Sequence, residues 1–219
     1  MKWNEVIYAD SMNEENWHPT LEDKSIDLCL TDPPYGVNYK DDLHIESIQY
    51  EDEFIGFEWL NEILRVCKGI IFTPGCCNLY DYITFKKPPY LLRFAYYYDS
   101  YRRIHYDVLL AYGSVPKITS IKSVVKVKRH HFDGYIHPSP KSEDLWRYIL
   151  RKLKPKSVID PFIGSGTTAE ACTKLGIPWV GYEINEVYSQ DINKRLKGCV
   201  REPQQIELNN WLEAEREWR

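Results

Sequence analysis

The chain has 219 residues, enough for one domain with a sizeable core. It is 43% hydrophobic and 27% charged, an ordinary balance for a soluble globular protein, and no apolar run has the length of a membrane span. A net charge of -4 argues against a protein that coats nucleic acid without selection.

In chain order, 5–9 (EVIYA) reads as a short strand stopping at Asp10. Residues 26–30 alternate with a period of two and form a strand that runs into Thr31-Asp32-Pro33-Pro34-Tyr35. Residues 58–67 place Trp59, Ile63 and Val66 on one helical face. Residues 69–72 form a short apolar strand closed by Pro74-Gly75. Two strands rich in Tyr, Phe, Val and Leu follow, at 91–98 and 107–112. A helix over 142–153 has Ser142 at its N-cap and Leu145, Ile149 and Leu153 inside. Next come a strand at 157–160, a helix at 167–175 with Gly176 as its C-cap, a strand at 177–182 and a helix at 186–196. A last helix is expected over 204–218. The stretches 40–54 and 114–137 read as irregular. Alternating strands and helices predict an α/β fold, a mostly parallel twisted sheet flanked by helices in a single domain over 1–219.

The six cysteines form no CxxC pair, and Cys76 and Cys77 are adjacent, which suits neither an ordinary disulfide nor a zinc site. Reduced thiols in a cytoplasmic protein are expected, with no bound metal. The N-terminal MKWNE lacks the apolar core of a signal peptide.

Residues 157–168, SVIDPFIGSGTT, carry the cofactor chemistry. A strand ends in Asp160, passes a Gly-Ser-Gly turn and enters a helix, and ligands of open parallel sheets sit beyond such strand ends. Gly164 and Gly166 let the backbone approach a ligand closely. The next strand ends in Glu183, where a carboxylate can accept from ribose hydroxyls. The loop lacks the Gly-Lys-Ser/Thr end of a phosphate-binding loop and departs from GxGxxG. Asp160 would repel a pyrophosphate but suits the amino group of a methionine moiety. The chemistry points to S-adenosylmethionine. Read alone, a GSG turn is equally a ligand-free β-α connection.

DPFIGSGTT, with TDPPYG upstream, resembles the amino-methyltransferases of nucleic acids, specifically the beta-class order of DNA methyltransferases in which the catalytic motif precedes the cofactor motif. VIYADSM, EWLNEILRVCKGIIFTPG, HPSPKSEDLW and GYEINEVY resemble further elements of that family in the same order, so the likeness runs from Val6 to Leu196. It implies a Rossmann-like S-adenosylmethionine-dependent methyltransferase fold with permuted motif order. It also implies that Asp160, Phe162, Gly164, Ser165 and Gly166 surround the methionine part, with Thr167 and Thr168 at the helix start. Glu183 would take the ribose hydroxyls, Asp10 would sit near the adenine, and His137 and Lys141 would lie beside the methionine. HPSPKS departs from the usual HPTxKP, and ILRVCKGI is shorter than the usual RVLKPGG.

The resemblance makes Asp32, Pro33, Pro34 and Tyr35 the catalytic residues. An exocyclic amino group is a weak nucleophile because its lone pair is delocalised into the ring. Asp32 and the Pro33 carbonyl would accept its hydrogens and stabilise the charge that develops. Tyr35 would offer a face for stacking. The target base must be flipped out or single-stranded to reach such a pocket. Within the family DPPY goes mainly with adenine, so adenine N6 in DNA is the expected acceptor. Cytosine N4, an RNA base, or a non-catalytic cofactor-binding protein are the alternatives.

Between 117 and 131 there are five basic residues, two histidines and no acid. Lys117, Lys122, Lys126, Lys128 and Arg129 are the expected phosphate contacts, within a small target-recognition insertion over 114–136. For any one of these charges a solvated face is the simpler reading. A homodimer is expected from the family, and a restriction partner is not specified by the sequence.

Overall fold

The computed structural model describes residues 2–13, 21–36, 55–97, 104–121, 124–126, 136–137 and 141–199. The expected helix at 204–218 and the acidic stretch 40–54 lie outside the described residues.

Eight strands form one sheet in the order β1-β8-β7-β2-β3-β5-β4-β6. They are β1 (Glu5–Tyr8), β2 (Ile26–Thr31), β3 (Cys67–Phe72), β4 (Tyr90–Tyr97), β5 (Ile104–Gly113), β6 (Val124–Lys126), β7 (Val158–Asp160) and β8 (Trp179–Glu183). Every pairing is parallel except the two made by β5, so one reversed strand interrupts an otherwise parallel sheet. This is the expected α/β class. β7 inserts beside β2, pairing Leu28 with Val158 and Cys29 with Ile159. That register brings the end of the DPPY strand against the end of the DPFIGSG strand.

Side chains that alternate along the strands feed two cores. Leu28, Leu30, Ile71, Leu109, Ala111 and Val158 face helices α3 (Glu143–Leu153) and α4 (Thr167–Leu175). Cys29, Ile70, Phe72, Leu110, Ile159 and Val180 face the other layer, where α1 (Glu58–Val66) and α2 (Gly75–Phe85) lie. Trp59 is 1% exposed, packs edge-on to Phe72 at 5.1 Å and to Phe162 at 5.4 Å, and donates its indole N–H to the Tyr82 hydroxyl at 3.2 Å. The loop after β7 is thereby tied to the core through Phe162. The fifth helix, α5 (Ser189–Lys197), follows a 3-10 turn over Glu186–Tyr188.

Several elements differ from the sequence reading. α2 was not expected: its sequence GCCNLYDYITF has many weak helix formers and buries only Tyr82, so it carries little periodic signal. α1 passes into β3 without a loop, with Val66 ending one and Cys67 starting the other, which is the consequence of the short ILRVCKGI connection. Ser142 sits at the N-cap of α3 but makes no side-chain cap bond. β5 starts three residues earlier than its pattern indicates, because pairing with β4 extends it to Ile104. All six cysteines are free; Cys29, Cys67 and Cys172 are buried and Cys76 and Cys77 exposed. Among the described residues no helix is long and apolar enough to cross a membrane, and no cluster of side chains is placed to hold a metal ion.

Candidate active site

The carboxyl ends of β1, β8, β7, β2 and β3 converge on one edge of the sheet, as their parallel pairing requires. A pocket of about 700 Å³ opens there, lined by Asp10 after β1, Asp32 and Pro34 after β2, Phe162 and Gly164 after β7, Glu183 ending β8, and His137. Residues far apart in the sequence meet because each follows a neighbouring strand.

Asp160 is 3% exposed. Its Oδ1 accepts from the Thr31 hydroxyl at 2.5 Å and from the Phe162 N–H at 3.0 Å, and its Oδ2 from the Thr168 hydroxyl at 2.6 Å. Burial pushes its carboxyl up to about 6, against the opposing effect of the Thr168, Thr31 and Phe162 bonds. Asp160 therefore joins β7, β2 and α4 through one charged group. Glu183 accepts from the Gly164 N–H at 2.9 Å and the Asn185 N–H at 2.8 Å. Burial raises its carboxyl to about 7. Both acids retain acceptor capacity, since an ionised carboxylate offers about four lone-pair sites. Asp10 turns its side chain back onto the Met12 N–H at 2.8 Å and lies at the pocket wall.

His137 packs on Tyr188 with ring centroids 4.7 Å apart. Burial lowers its imidazole to about 4, so the ring is neutral at pH 7. Its backbone N–H and that of Ile136 both donate to the Asp191 carboxylate, at 2.8 Å and 3.0 Å. Asp191 is 1% exposed and lies on α5. One turn further, Arg195 donates to Glu170 at 2.6 Å, to the Lys141 carbonyl at 3.3 Å and to the Ser165 hydroxyl at 3.3 Å. Thus α5 fixes both ends of the 137–141 segment and the Gly-Ser-Gly turn. Neither residue was singled out by the sequence. Their i,i+4 spacing beside Ile192 was the available signal, but on so polar a helix it reads equally as a solvated face.

At the other end of the pocket, three donors converge on Asp32. The Tyr35 hydroxyl and the Thr73 hydroxyl both bond its Oδ1, and these two hydroxyls lie 3.1 Å apart. The Lys141 ammonium lies 3.3 Å from its Oδ2 and 3.2 Å from the Tyr35 hydroxyl. Burial, with Asp32 beside it, pushes the Tyr35 phenol well above its ordinary range. The Tyr35 ring lies against Gly75, where an added Cβ would come within 2.8 Å of it, and its carbonyl accepts from Asn78 at 2.8 Å. Thr73 follows β3 directly and was not anticipated; it reaches Asp32 because β3 pairs with β2, and the Thr73 N–H also bonds the Thr31 carbonyl at 3.3 Å. Pro33 is buried and Pro34 faces the pocket.

The structure thus gathers Asp32, Pro34, Tyr35, Asp10, His137, Lys141, Asp160, Phe162, Gly164, Ser165, Thr168 and Glu183 around one sheet edge. Gly166 and Thr167 complete the turn into α4, where the Thr167 hydroxyl donates to the Lys141 carbonyl at 3.4 Å. The basic residues divide. Lys117 is exposed on the turn after β5, near where Ser114 bonds Lys68 at the start of β3, the edge of the sheet opposite Thr73. Lys126 ends β6, which runs parallel to β4 on the outermost position of the sheet. Lys122, Lys128 and Arg129 lie outside the described residues.

A sequence model described as DNA methylase matches residues 96–194. The type II methyltransferase M.HpaI of Haemophilus parainfluenzae is 26% identical, in an alignment covering 80% of this chain and 69% of the relative. The DNA adenine methyltransferase YhdJ of Escherichia coli K12 is 24% identical, covering 87% and 82%. M.HinfI of Haemophilus influenzae is 38% identical, but over only 33% of this chain and 21% of its own length. Among solved structures, the M1.HpyAVI–SAM complex superposes with a TM-score of 0.63 at 20% identity, covering 87% of this chain and 98% of that one. The cytosine-N4-specific PvuII DNA methyltransferase superposes with a TM-score of 0.57 at 14% identity, covering 94% and 88%. At these identities the structural matches establish the shared fold.

Proposed function

We propose that this chain, a member of the amino-methyltransferase family, transfers a methyl group from S-adenosylmethionine to the exocyclic amino group of a base in DNA, with adenine N6 as the acceptor. The single observation that carries the reading is that Asp32 and Glu183 line one pocket at one sheet edge, with Asp160 buried close behind it, from strands paired side by side.

The pocket suits the cofactor chemically. Glu183 and Asp10 offer carboxylate acceptors at its wall for hydroxyl and amino hydrogens. The buried Asp160 gives a negative potential that favours a cationic group. The neutral His137 adds no opposing charge. Gly164 leaves the wall open where a side chain would collide with His137. When bound, S-adenosylmethionine supplies an electrophilic methyl group on a sulfonium.

The protein's own part is acceptance and placement. Asp32 accepts a hydrogen of the amino group and the Pro33 carbonyl accepts the other. Proline at 33 and 34 leaves no backbone N–H there to compete. These acceptors draw the nitrogen toward a tetrahedral shape and stabilise its developing positive charge. Thr73 holds the Asp32 carboxylate by its Oδ1, leaving Oδ2 to Lys141 and the pocket. Entry of a base exchanges the Tyr35 and Lys141 contacts on Asp32 for contacts with its amino group. A base inside a duplex cannot reach this point, so the target is extruded. The Lys126 end of β6, on the outermost strand, with Lys128 and Arg129 after it in the sequence, supplies phosphate contacts in this reading, whereas Lys117 lies at the opposite edge.

The test is transfer from labelled S-adenosylmethionine to duplex DNA, single-stranded DNA and total RNA, with nucleoside analysis of the product. N6-methyladenine in duplex DNA is the expected result. N4-methylcytosine would move the acceptor to cytosine while keeping the chemistry. Label in RNA alone, or none with the cofactor bound, would overturn the reading. Asp32→Ala is expected to abolish transfer and to leave cofactor affinity within about threefold, because it removes a contact to the base and none to the cofactor.

A further inference from the structure

Lys141 does not stop at the cofactor side of the pocket. Its ammonium is delivered to the catalytic carboxylate, 3.3 Å from Asp32 Oδ2, and lies 5.2 Å from the centre of the Tyr35 ring. The delivery is built into the fold. The Lys141 backbone carbonyl accepts from Arg195 at 3.3 Å and from Thr167 at 3.4 Å, and Arg195 is itself 6% exposed and held by Glu170. Asp32, which lines the pocket, therefore has a cationic donor directly at its side, next to the point where the target amino group must lie.

We infer that Lys141 is a specificity-determining residue that donates a hydrogen bond to the ring nitrogen next to the target amino group, so that Asp32 and Lys141 together read an amino–imine edge. This inference rests on the amino-methyltransferase reading above. Adenine presents the N6 amino group beside the acceptor N1, and cytosine presents the N4 amino group beside the acceptor N3. An acceptor next to a donor matches both. On its Watson–Crick edge guanine places a ring N–H beside its amino group and would set that hydrogen against the ammonium; the acceptor N3 on the other side faces the sugar. Thymine places a carbonyl oxygen where Asp32 needs a donor and a ring N–H where Lys141 needs an acceptor. A mismatch leaves buried polar groups unpaired, which discriminates more strongly than a change in size.

In the absence of a base the two halves of this reader pair with each other. The Lys141–Asp32 contact keeps both charges compensated at partly buried positions, with side chains 26% and 23% exposed. A base with the right edge replaces one contact by two: its amino hydrogen goes to Asp32 and its ring nitrogen accepts from Lys141. A base with the wrong edge breaks the pair and returns nothing. Because the ring-nitrogen bond exists before and during transfer alike, its loss belongs mainly in KM rather than in kcat.

The experiment uses the full chain and an oligonucleotide carrying the methylated site mapped by the transfer assay. The target base is either natural or lacks only the ring nitrogen: 1-deazaadenine for an N6 acceptor, 3-deazacytosine for an N4 acceptor. The wild-type protein is expected to lose roughly ten- to hundredfold in kcat/KM on the deaza base, the scale of one hydrogen bond to a charged donor. In Lys141→Met the natural and deaza bases are expected to differ by less than about threefold, since the lost partners cancel in the cycle. Lys141→Gln, which keeps a neutral N–H donor, is expected to retain part of the discrimination. S-adenosylmethionine affinity, measured by calorimetry, is expected to stay within about threefold in both variants. Equal rates of the wild type on both bases, or full discrimination in Lys141→Met, would overturn the inference. So would loss of cofactor binding in both variants with the fold intact by circular dichroism, because that places Lys141 at the cofactor. Failure of the wild type to methylate any natural base would instead refute the underlying function.

Discussion

Replacing Gly164 by alanine tests the loop after β7, proposed above to hold the cofactor, at its tightest point. Gly164 has φ +51°, and a Cβ there would stand 2.9 Å from His137 Nε2. The left-handed backbone costs a non-glycine residue roughly 1–2 kcal/mol. The collision adds about 1–3 kcal/mol of overpacking, because the His137 ring is buried against Tyr188 and its backbone is pinned by Asp191. The total is about 2–5 kcal/mol. At roughly 2–4 °C per kcal/mol for a chain of this size, the melting temperature should fall by about 4–20 °C. The Gly164 N–H that holds Glu183 moves with the loop, so cofactor affinity should fall at least about tenfold. Differential scanning calorimetry and titration calorimetry with S-adenosylmethionine read the two effects. Gly198→Ala is the control: φ is -95° and no atom lies within 4 Å of the added Cβ, so about 0.5 kcal/mol or less is expected. A Gly164→Ala protein with unchanged melting and unchanged affinity would refute the placement of this loop against His137.

Stability should depend on pH through Glu183. Its folded-state pKa of about 7 lies above the ordinary 4.5, so its stabilising contribution is complete below about pH 4.5 and is lost as pH rises through 7. Asp160, raised to about 6, acts in the same direction over a lower window. Urea unfolding of the cofactor-free protein should therefore give about 3 kcal/mol less stability at pH 8 than at pH 4.5 from Glu183 alone, and Glu183→Gln should flatten that slope. A slope unchanged in Glu183→Gln would assign the pH dependence elsewhere. Asp191→Ala should leave the Ile136 and His137 N–H groups without their charged acceptor and cost about 2–4 kcal/mol. Hydrogen exchange should quicken at those two amides, with Asp191→Asn intermediate; unchanged protection would show that α5 does not hold the segment. Thr73→Val should keep the fold and lower kcat, because it removes one of the two hydroxyls that hold Asp32 Oδ1; a change in cofactor affinity instead of kcat would contradict that role.

The sequence by itself determined the strand ends. Each of Asp32, Asp160 and Glu183 closes a short apolar run, and turn residues or a following helix pattern fix where the run stops. Periodicity sufficed for α3 and α4 and for the parallel class of the sheet, because buried faces repeat at the helical or strand period. It did not suffice for α2, whose single buried side chain leaves no period, nor for the two polar side chains of α5. Strand order was a tertiary decision. β7 pairs with β2, Leu28 with Val158 and Cys29 with Ile159, and that pairing alone lets Thr31 bond Asp160, 129 residues away, and joins the two motifs into one pocket. The same holds for Lys141, Thr73 and Asp191. Their residue types are compatible with ordinary surface positions. They become parts of the site because neighbouring elements bury them against Asp32 and the His137 backbone, and local sequence carries no record of which element will be the neighbour.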